Sequence, residues 1–149
     1  MEASMATDIQ VVFDCADPAA QARFWAEALR YVMPGPSGDF STWEDWDRAQ
    51  GIPEEHWNDA AAAEDPAGKG PRLFFQKVPE AKVAKNRVHI DLNVSGGPEV
   101  TLEERKVRIW AEVERLKVLG ADDHRGSMDQ AGEFWVRMND PEGNEFCVQ

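Results

Sequence analysis

His89 and Asp91 stand two residues apart in Arg87-Val88-His89-Ile90-Asp91-Leu92-Asn93-Val94, a segment that alternates polar and apolar side chains. Period two marks a strand with one face turned to a core, so the imidazole and the carboxylate share the other face. The carboxylate can orient the imidazole as a general base or as a metal ligand. Equally, the two can hydrogen-bond and do no more than order the strand. A second alternating segment, Asn144-Glu145-Phe146-Cys147-Val148, puts a carboxylate and a thiol on one face of the last strand.

Other familiar chemistries lack their residues. No Gly-rich phosphate loop, nucleophile elbow, His-Glu-x-x-His pair or Cys-x-x-Cys pair occurs. Five serines leave little material for a serine triad, and neither Cys15 nor Cys147 has an adjacent base to mark it as a nucleophile. His124, in Asp122-Asp123-His124-Arg125, reads as a solvated loop residue, and His56 as a surface helix residue.

The elements that must carry these groups follow from pattern. Ile9 to Cys15 is an apolar, β-branched strand ended by Asp17-Pro18. Asp17 suits a helix N-cap and Pro18 the first helical position, and Ala20, Phe24, Trp25, Ala28 and Leu29 continue at helical spacing to about Arg30. Tyr31-Val32-Met33 is expected as a short strand cut off by Pro34-Gly35-Pro36. Short helices are expected around 42–49 and 53–60; Ala60 to Ala63 either continue the second or form a strand. Arg72 to Val78 reads as a buried strand after the turn-rich Asp65 to Pro71. Beyond Arg87 to Val94, a helix spans about Leu102 to Leu119 and Gly120 stops it. A weak strand near Ala121 to Arg125 and stronger ones at Glu133 to Met138 and Asn144 to Val148 complete the chain.

Tryptophans sort by position. Trp25 and Trp110 hold equivalent helix positions and are expected in the core. Trp43, Trp46 and Trp57 sit in the poorly patterned stretch, where they either form an aromatic lid for a hydrophobic ligand or staple that stretch to the body. Trp135, on a late strand, is a candidate pocket wall.

The formal net charge of −12 repels a phosphate backbone and an anionic membrane surface alike. The basic runs Lys77 to Arg87 and Arg105 to Arg108 are flanked by acids and read as solvated faces. Apolar runs are too short to cross a bilayer, and Met1 to Met5 resembles no signal peptide, with Met5 a candidate alternative start. Two widely separated cysteines fit reduced thiols and a cytoplasmic location, and whether they are spatial neighbours stays open.

The two halves repeat one another. Each opens with a strand and continues into a helix, Arg23-Phe24-Trp25-Ala26-Glu27 matching Arg108-Ile109-Trp110-Ala111-Glu112. Each has an Asp-Pro-x-Gly turn, Asp65 to Gly68 and Asp140 to Gly143. Duplicated modules of this kind cannot each bury their own sheet face, so pairing is expected.

With Phe24-Trp25 after the Asp-Pro opening, Val88-His89-Ile90-Asp91-Leu92, and Asp140-Pro141-Glu142-Gly143-Asn144-Glu145-Phe146, the chain resembles the glyoxalase-like branch of the vicinal-oxygen-chelate superfamily, with its glyoxalases, bleomycin-resistance proteins and dioxygenases. The expected fold class is α+β: two tandem βαβββ modules, about 8–80 and 86–149, in one domain, with curved mixed sheets around a cleft and a helical insertion in the first module. The resemblance also implies a homodimer.

In that superfamily a divalent ion, when present, takes His or Gln from first strands and Glu from last strands. Carried onto this chain, the resemblance implies Gln10, seven residues before Asp17, and His89 on the first strands. For the last strands it implies Gln76, with Phe75 in its place if the register slips by one, and Glu145 or Cys147. The usual carboxylate position holds Cys147, which argues against glyoxalase I activity; a Zn, Ni, Fe or Mn ion then needs Glu145 or an ionised Cys147 beside the carboxamides. Two functions stay open. One is a metal-assisted isomerase, epimerase or lyase with Asp91 or Glu145 transferring protons. The other is a metal-free protein that sequesters a hydrophobic or cationic small molecule, such as an antibiotic, in a pocket with Trp43, Trp46, Trp135 and Cys147.

Overall fold

A computed structural model describes residues 5–149, which divide between Pro79 and Glu80 into two compact units. The class is α+β, with a three-stranded mixed sheet in the first unit and a four-stranded mixed sheet in the second.

The first unit runs β1 (Gln10–Cys15), α1 (Pro18–Leu29), α2 (Trp43–Ala49), a 3-10 turn (Glu54–His56), β2 (Ala60–Ala63) and β3 (Arg72–Lys77). β3 is central, parallel to β1 and antiparallel to β2. The helix entry is built as its residues dictate: Asp17 Oδ1 accepts the Ala20 N–H at 3.1 Å and Pro18 opens α1. Trp25, 1% exposed, meets the Phe13 ring edge-on at 5.3 Å.

Three local expectations change here. Tyr31 to Met33 forms no strand; Val32 makes a single antiparallel bridge to Glu64, and Pro34 then offers no N–H to extend a ladder. The expected helix over 53–60 shrinks to one 3-10 turn because the Lys77 N–H bonds to the Asp59 carbonyl, drawing the chain into β2. The ambiguity at Ala60 to Ala63 is thereby settled as strand. The segment carrying α2 and the 3-10 turn is the helical insertion.

The second unit runs β4 (Ile90–Leu92), α3 (Leu102–Val118), β5 (Ser127–Gln130), β6 (Glu133–Asn139) and β7 (Glu145–Val148), in sheet order β4-β7-β6-β5. Its first strand lies parallel to its last, as in the first unit, and its penultimate strand is antiparallel to the last. The repeat continues in detail. Asp122 bridges Asn139 as Val32 bridges Glu64. Asp140 accepts the N–H groups of Glu142 and Asn144, as Asp65 accepts those of Ala67, Lys69 and Gly70.

The strand expected at 121–125 is only that bridge; the strand itself comes later, as β5, from the polar Ser127-Met128-Asp129-Gln130. β5 forms because a two-residue turn folds it onto β6. Ala131 and Gly132 both have positive φ, 53° and 81°, the backbone of a twisted hairpin. β4 is shorter than its alternating segment suggests, since as an edge strand it pairs only with the four-residue β7.

Phe134, Val136, Met138, Phe146 and Val148 form the buried sheet face, against which α3 packs through Ile109, Val113 and Leu116. That stripe fixes the rotation of the helix and turns Trp110 aside, leaving it 39% exposed with its ring 6.0 Å from Phe134. The expected equivalence with Trp25 therefore fails. In α1 the buried Gln21, Phe24, Trp25 and Ala28 match Ile109, Glu112, Val113 and Leu116 in spacing, so the similar Arg-to-Glu stretches are out of phase with burial. Neither cysteine is in a disulfide, and the Cys15 thiol donates to the Gln76 carbonyl at 3.5 Å. No helix among the described residues is long and apolar enough to cross a membrane.

Candidate functional site: a polar pocket on the second sheet

With the apolar side chains of β4, β6 and β7 turned to α3, alternation sends the intervening residues to the opposite face. That face carries Asp91 on β4, Glu145 and Cys147 on β7, and Trp135 and Arg137 on β6, with His89 just before β4. They line a cavity of about 390 Å³ with Lys85, Arg125 and Gln149. Register aligns three of them: Cys147 lies opposite Asp91 on one side and Arg137 on the other.

His89, Asp91 and Cys147 converge, with their candidate ligand atoms all within 4.8 Å of one another. The His89 Nε2 is 3.3 Å from Asp91 Oδ1, and both side chains are a little under half exposed. The Cys147 sulfur lies within 4.8 Å of the Asp91 carboxylate, and burial first, then the Asp91 charge, pushes the thiol above its usual range against the pull of Arg137 and Lys85. Imidazole nitrogen, sulfur and carboxylate oxygen together make a donor set that suits a borderline divalent ion such as Zn²⁺ better than a hard one. The residues therefore fit the kind of ion the fold resemblance implies.

Glu145 lines the same cavity but is differently engaged. Its Oε2 accepts the Asn86 N–H at 3.0 Å and lies 3.1 Å from Lys82 Nζ; its Oε1 is 3.5 Å from Arg125. Burial opposes its ionisation, yet the Asn86 N–H, its own backbone N–H and Lys82 hold its carboxyl down to about 2. It is a permanent anion that ties the segment before β4 to β7.

The remaining candidates lie in the first unit. Gln10 and Gln76 are exposed on one face of its sheet, where Gln10 Oε1 accepts from Arg72 Nη1 and Gln76 Nε2 donates to Asp14 Oδ1, each at 2.7 Å. Trp43 and Trp46 stack edge to face on α2 at 5.6 Å, and the Trp43 Nε1 donates to the Pro34 carbonyl. Trp57 donates likewise to Ile52 beneath the Arg48 guanidinium. His56 sits at the surface beside Asp59, and in the second unit His124 sits at the surface beside Asp122.

The sequence reading overlooked Lys85, Arg125 and Arg137. Arg137 was accessible to it, because it follows Trp135 by two in an alternating strand; Arg125 arrives from a loop and carried no signal.

No curated protein matches the chain in sequence. Among solved structures, a possible glyoxalase from Bacillus cereus is 18% identical, with TM-score 0.56 and coverage of 97% of this chain and 99% of that one. A variant of the fosfomycin resistance protein FosX from Listeria monocytogenes, complexed with Mn(II) and 1S,2S-dihydroxypropylphosphonic acid, is 11% identical, with TM-score 0.61 over 98% of this chain and 92% of that one. A glyoxalase/bleomycin resistance protein/dioxygenase family enzyme from Burkholderia phytofirmans is 11% identical, with TM-score 0.55 over 93% and 94%. Identities this low establish a shared fold and nothing finer. The family model for the glyoxalase-like domain matches residues 10–149, and this chain therefore belongs to the glyoxalase-like domain family.

Proposed function

We propose that this chain acts on a small molecule with the help of a divalent ion held by His89, Asp91 and Cys147, in isomerase, epimerase or lyase chemistry. The observation that carries the reading is the convergence of those three donors within 4.8 Å inside a lined cavity. A bound ion supplies Lewis acidity that polarises neighbouring oxygens of a substrate. His89 and Cys147 contribute one donor atom each, while Asp91 contributes one oxygen and keeps the other for a substrate proton. Glu145 is a poorer base, since the Asn86 N–H, Lys82 and Arg125 already occupy its oxygens. Its part is to hold the Lys82 to Asn86 segment, and with it Lys85, at the edge of the pocket. Trp135 supplies an apolar wall that excludes water from one side of a ligand.

One observation favours a second reading, a metal-free binding protein: the His89 Nε2 already has the Asp91 carboxylate as its partner, 3.3 Å away. Elemental analysis of tagless protein after dialysis against Zn²⁺, Ni²⁺, Fe²⁺ and Mn²⁺ separates the two. About one equivalent retained by the wild type and lost from His89→Ala supports the metal reading. No metal retained under any condition sinks it and leaves the binding protein. The homodimer implied by the resemblance belongs to the same proposal, and sedimentation equilibrium tests it.

A further inference from the structure

The chain as a whole carries a net charge of −12, yet the pocket on the second sheet gathers cations. Lys85, Arg125 and Arg137 line it, against the carboxylates Asp91 and Glu145. Glu145 is balanced by Lys82, 3.1 Å away, a pair whose side chains are 24% and 12% exposed. Arg125 also lies 3.5 Å from Glu145, so Asp91 is the one lining carboxylate left against Lys85 and Arg137.

Two of those cations have no acidic partner among the described residues. Arg137 is half-buried; its Nε donates to the Gly126 carbonyl at 3.4 Å and its Nη2 to the Arg125 carbonyl. Those bonds pin the guanidinium while adding no negative charge, and its Nη1 is the donor they leave. Lys85 bonds only to the carbonyl of its neighbour Asn86, at 3.4 Å. In a chain with 28 acidic and 16 basic residues, counter-charges are plentiful, but this face is not supplied with them. A half-buried guanidinium without a counter-ion is costly, and an oxyanion in the cavity offsets that cost with charge-assisted hydrogen bonds.

We propose that the pocket takes a small organic oxyanion, its carboxylate or phosphonate held by Arg137 and Lys85 with its organic body against Trp135. The acidic surface alone suggests a cationic ligand; the local field at the pocket reverses that preference. The proposal deepens the functional reading above, since it takes the same cavity as the working site, but it does not depend on the metal.

Four ligands of one shape and different charge test it: benzoate, phenylphosphonate, benzyl alcohol and benzylammonium. Each is titrated into the full chain by calorimetry, with and without a chelator. Benzoate or phenylphosphonate should bind at least about tenfold more tightly than the other two, and added salt should weaken it. The ratio between the two anions tells carboxylate from phosphonate. Lys85→Gln and Arg137→Gln should each weaken the preferred anion about tenfold, with Arg137→Lys intermediate. Lys85 is exposed, so its variant stands as a test even if Arg137→Gln fails to fold. Equal or tighter binding of benzylammonium, or failure of both anions to bind, overturns the proposal. Anion binding lost in His89→Ala but unchanged in Lys85→Gln and Arg137→Lys also overturns it, while sparing the metal reading. Anion binding retained in a chain that holds no metal leaves this inference standing and removes the metal reading alone.

Discussion

Asp91 and Cys147 are direct cross-strand partners in the parallel pair of β4 and β7, with the sulfur within 4.8 Å of the carboxylate. The charge on Asp91 thus acts on the sulfur across the sheet, in the same direction as burial. Asp91→Asn removes the negative charge and lowers the thiol pKa, so Cys147 should react faster with iodoacetamide at neutral pH in chelator-treated protein. Cys15, only 4% exposed, should stay inert and serve as the internal reference. The pH profile of alkylation read by mass spectrometry checks this, and an unchanged profile in Asp91→Asn would falsify the coupling.

Glu145 makes stability depend on acid. Its folded pKa, about 2, lies below the ordinary 4.5, so its ionised form favours the folded state. That contribution is fully present above the ordinary value and fades as pH falls through about 2. Glu145→Gln should cost about 2 kcal/mol at pH 7, and the gap from wild type should close as the solution is acidified. Urea titrations at pH 7 and pH 3 measure it; a gap that is constant with pH contradicts the assignment.

Ala131 occupies the left-handed region at φ 53° in the turn between β5 and β6. An alanine there is strained, whereas asparagine and glycine adopt this backbone readily. Ala131→Asn and Ala131→Gly should each raise stability, by up to about 1 kcal/mol, without touching the pocket. Thermal unfolding is the readout, and a lowered Tm in both variants refutes the turn.

The two helical tryptophans should behave differently. Trp25→Ala opens a cavity in a core where the side chain is 1% exposed, and should cost at least about 3 kcal/mol. Trp110→Ala removes a ring that is 39% exposed and should cost about 1 kcal/mol. Denaturant midpoints decide it; similar losses would restore the equivalence that the repeated sequence suggests.

What could be read from the sequence follows from short-range geometry. The Asp17-Pro18 helix entry, the Gly120 stop and the two Asp-Pro-x-Gly turns are decided by residues within a turn of one another. Alternation placed His89 with Asp91, and Glu145 with Cys147, because period two holds wherever a strand forms. The duplication and the family resemblance rest on the same local signals, and the match over residues 10–149 agrees with them.

Tertiary structure decided the rest. Asp91 meets Cys147, and Cys147 meets Arg137, through register between strands far apart in the chain, set by the packing of Phe146, Val148 and Met138 beneath α3. Nothing near Ser127 to Gln130 encodes a strand; a hairpin turn and the free edge of β6 make it one. Glu145 reads in sequence as a candidate base, and only the fold shows the Asn86 N–H and Lys82 already holding it. Side-chain chemistry is written residue by residue, but which groups share a pocket depends on contacts whose energies come from the whole core, and local sequence does not carry that information.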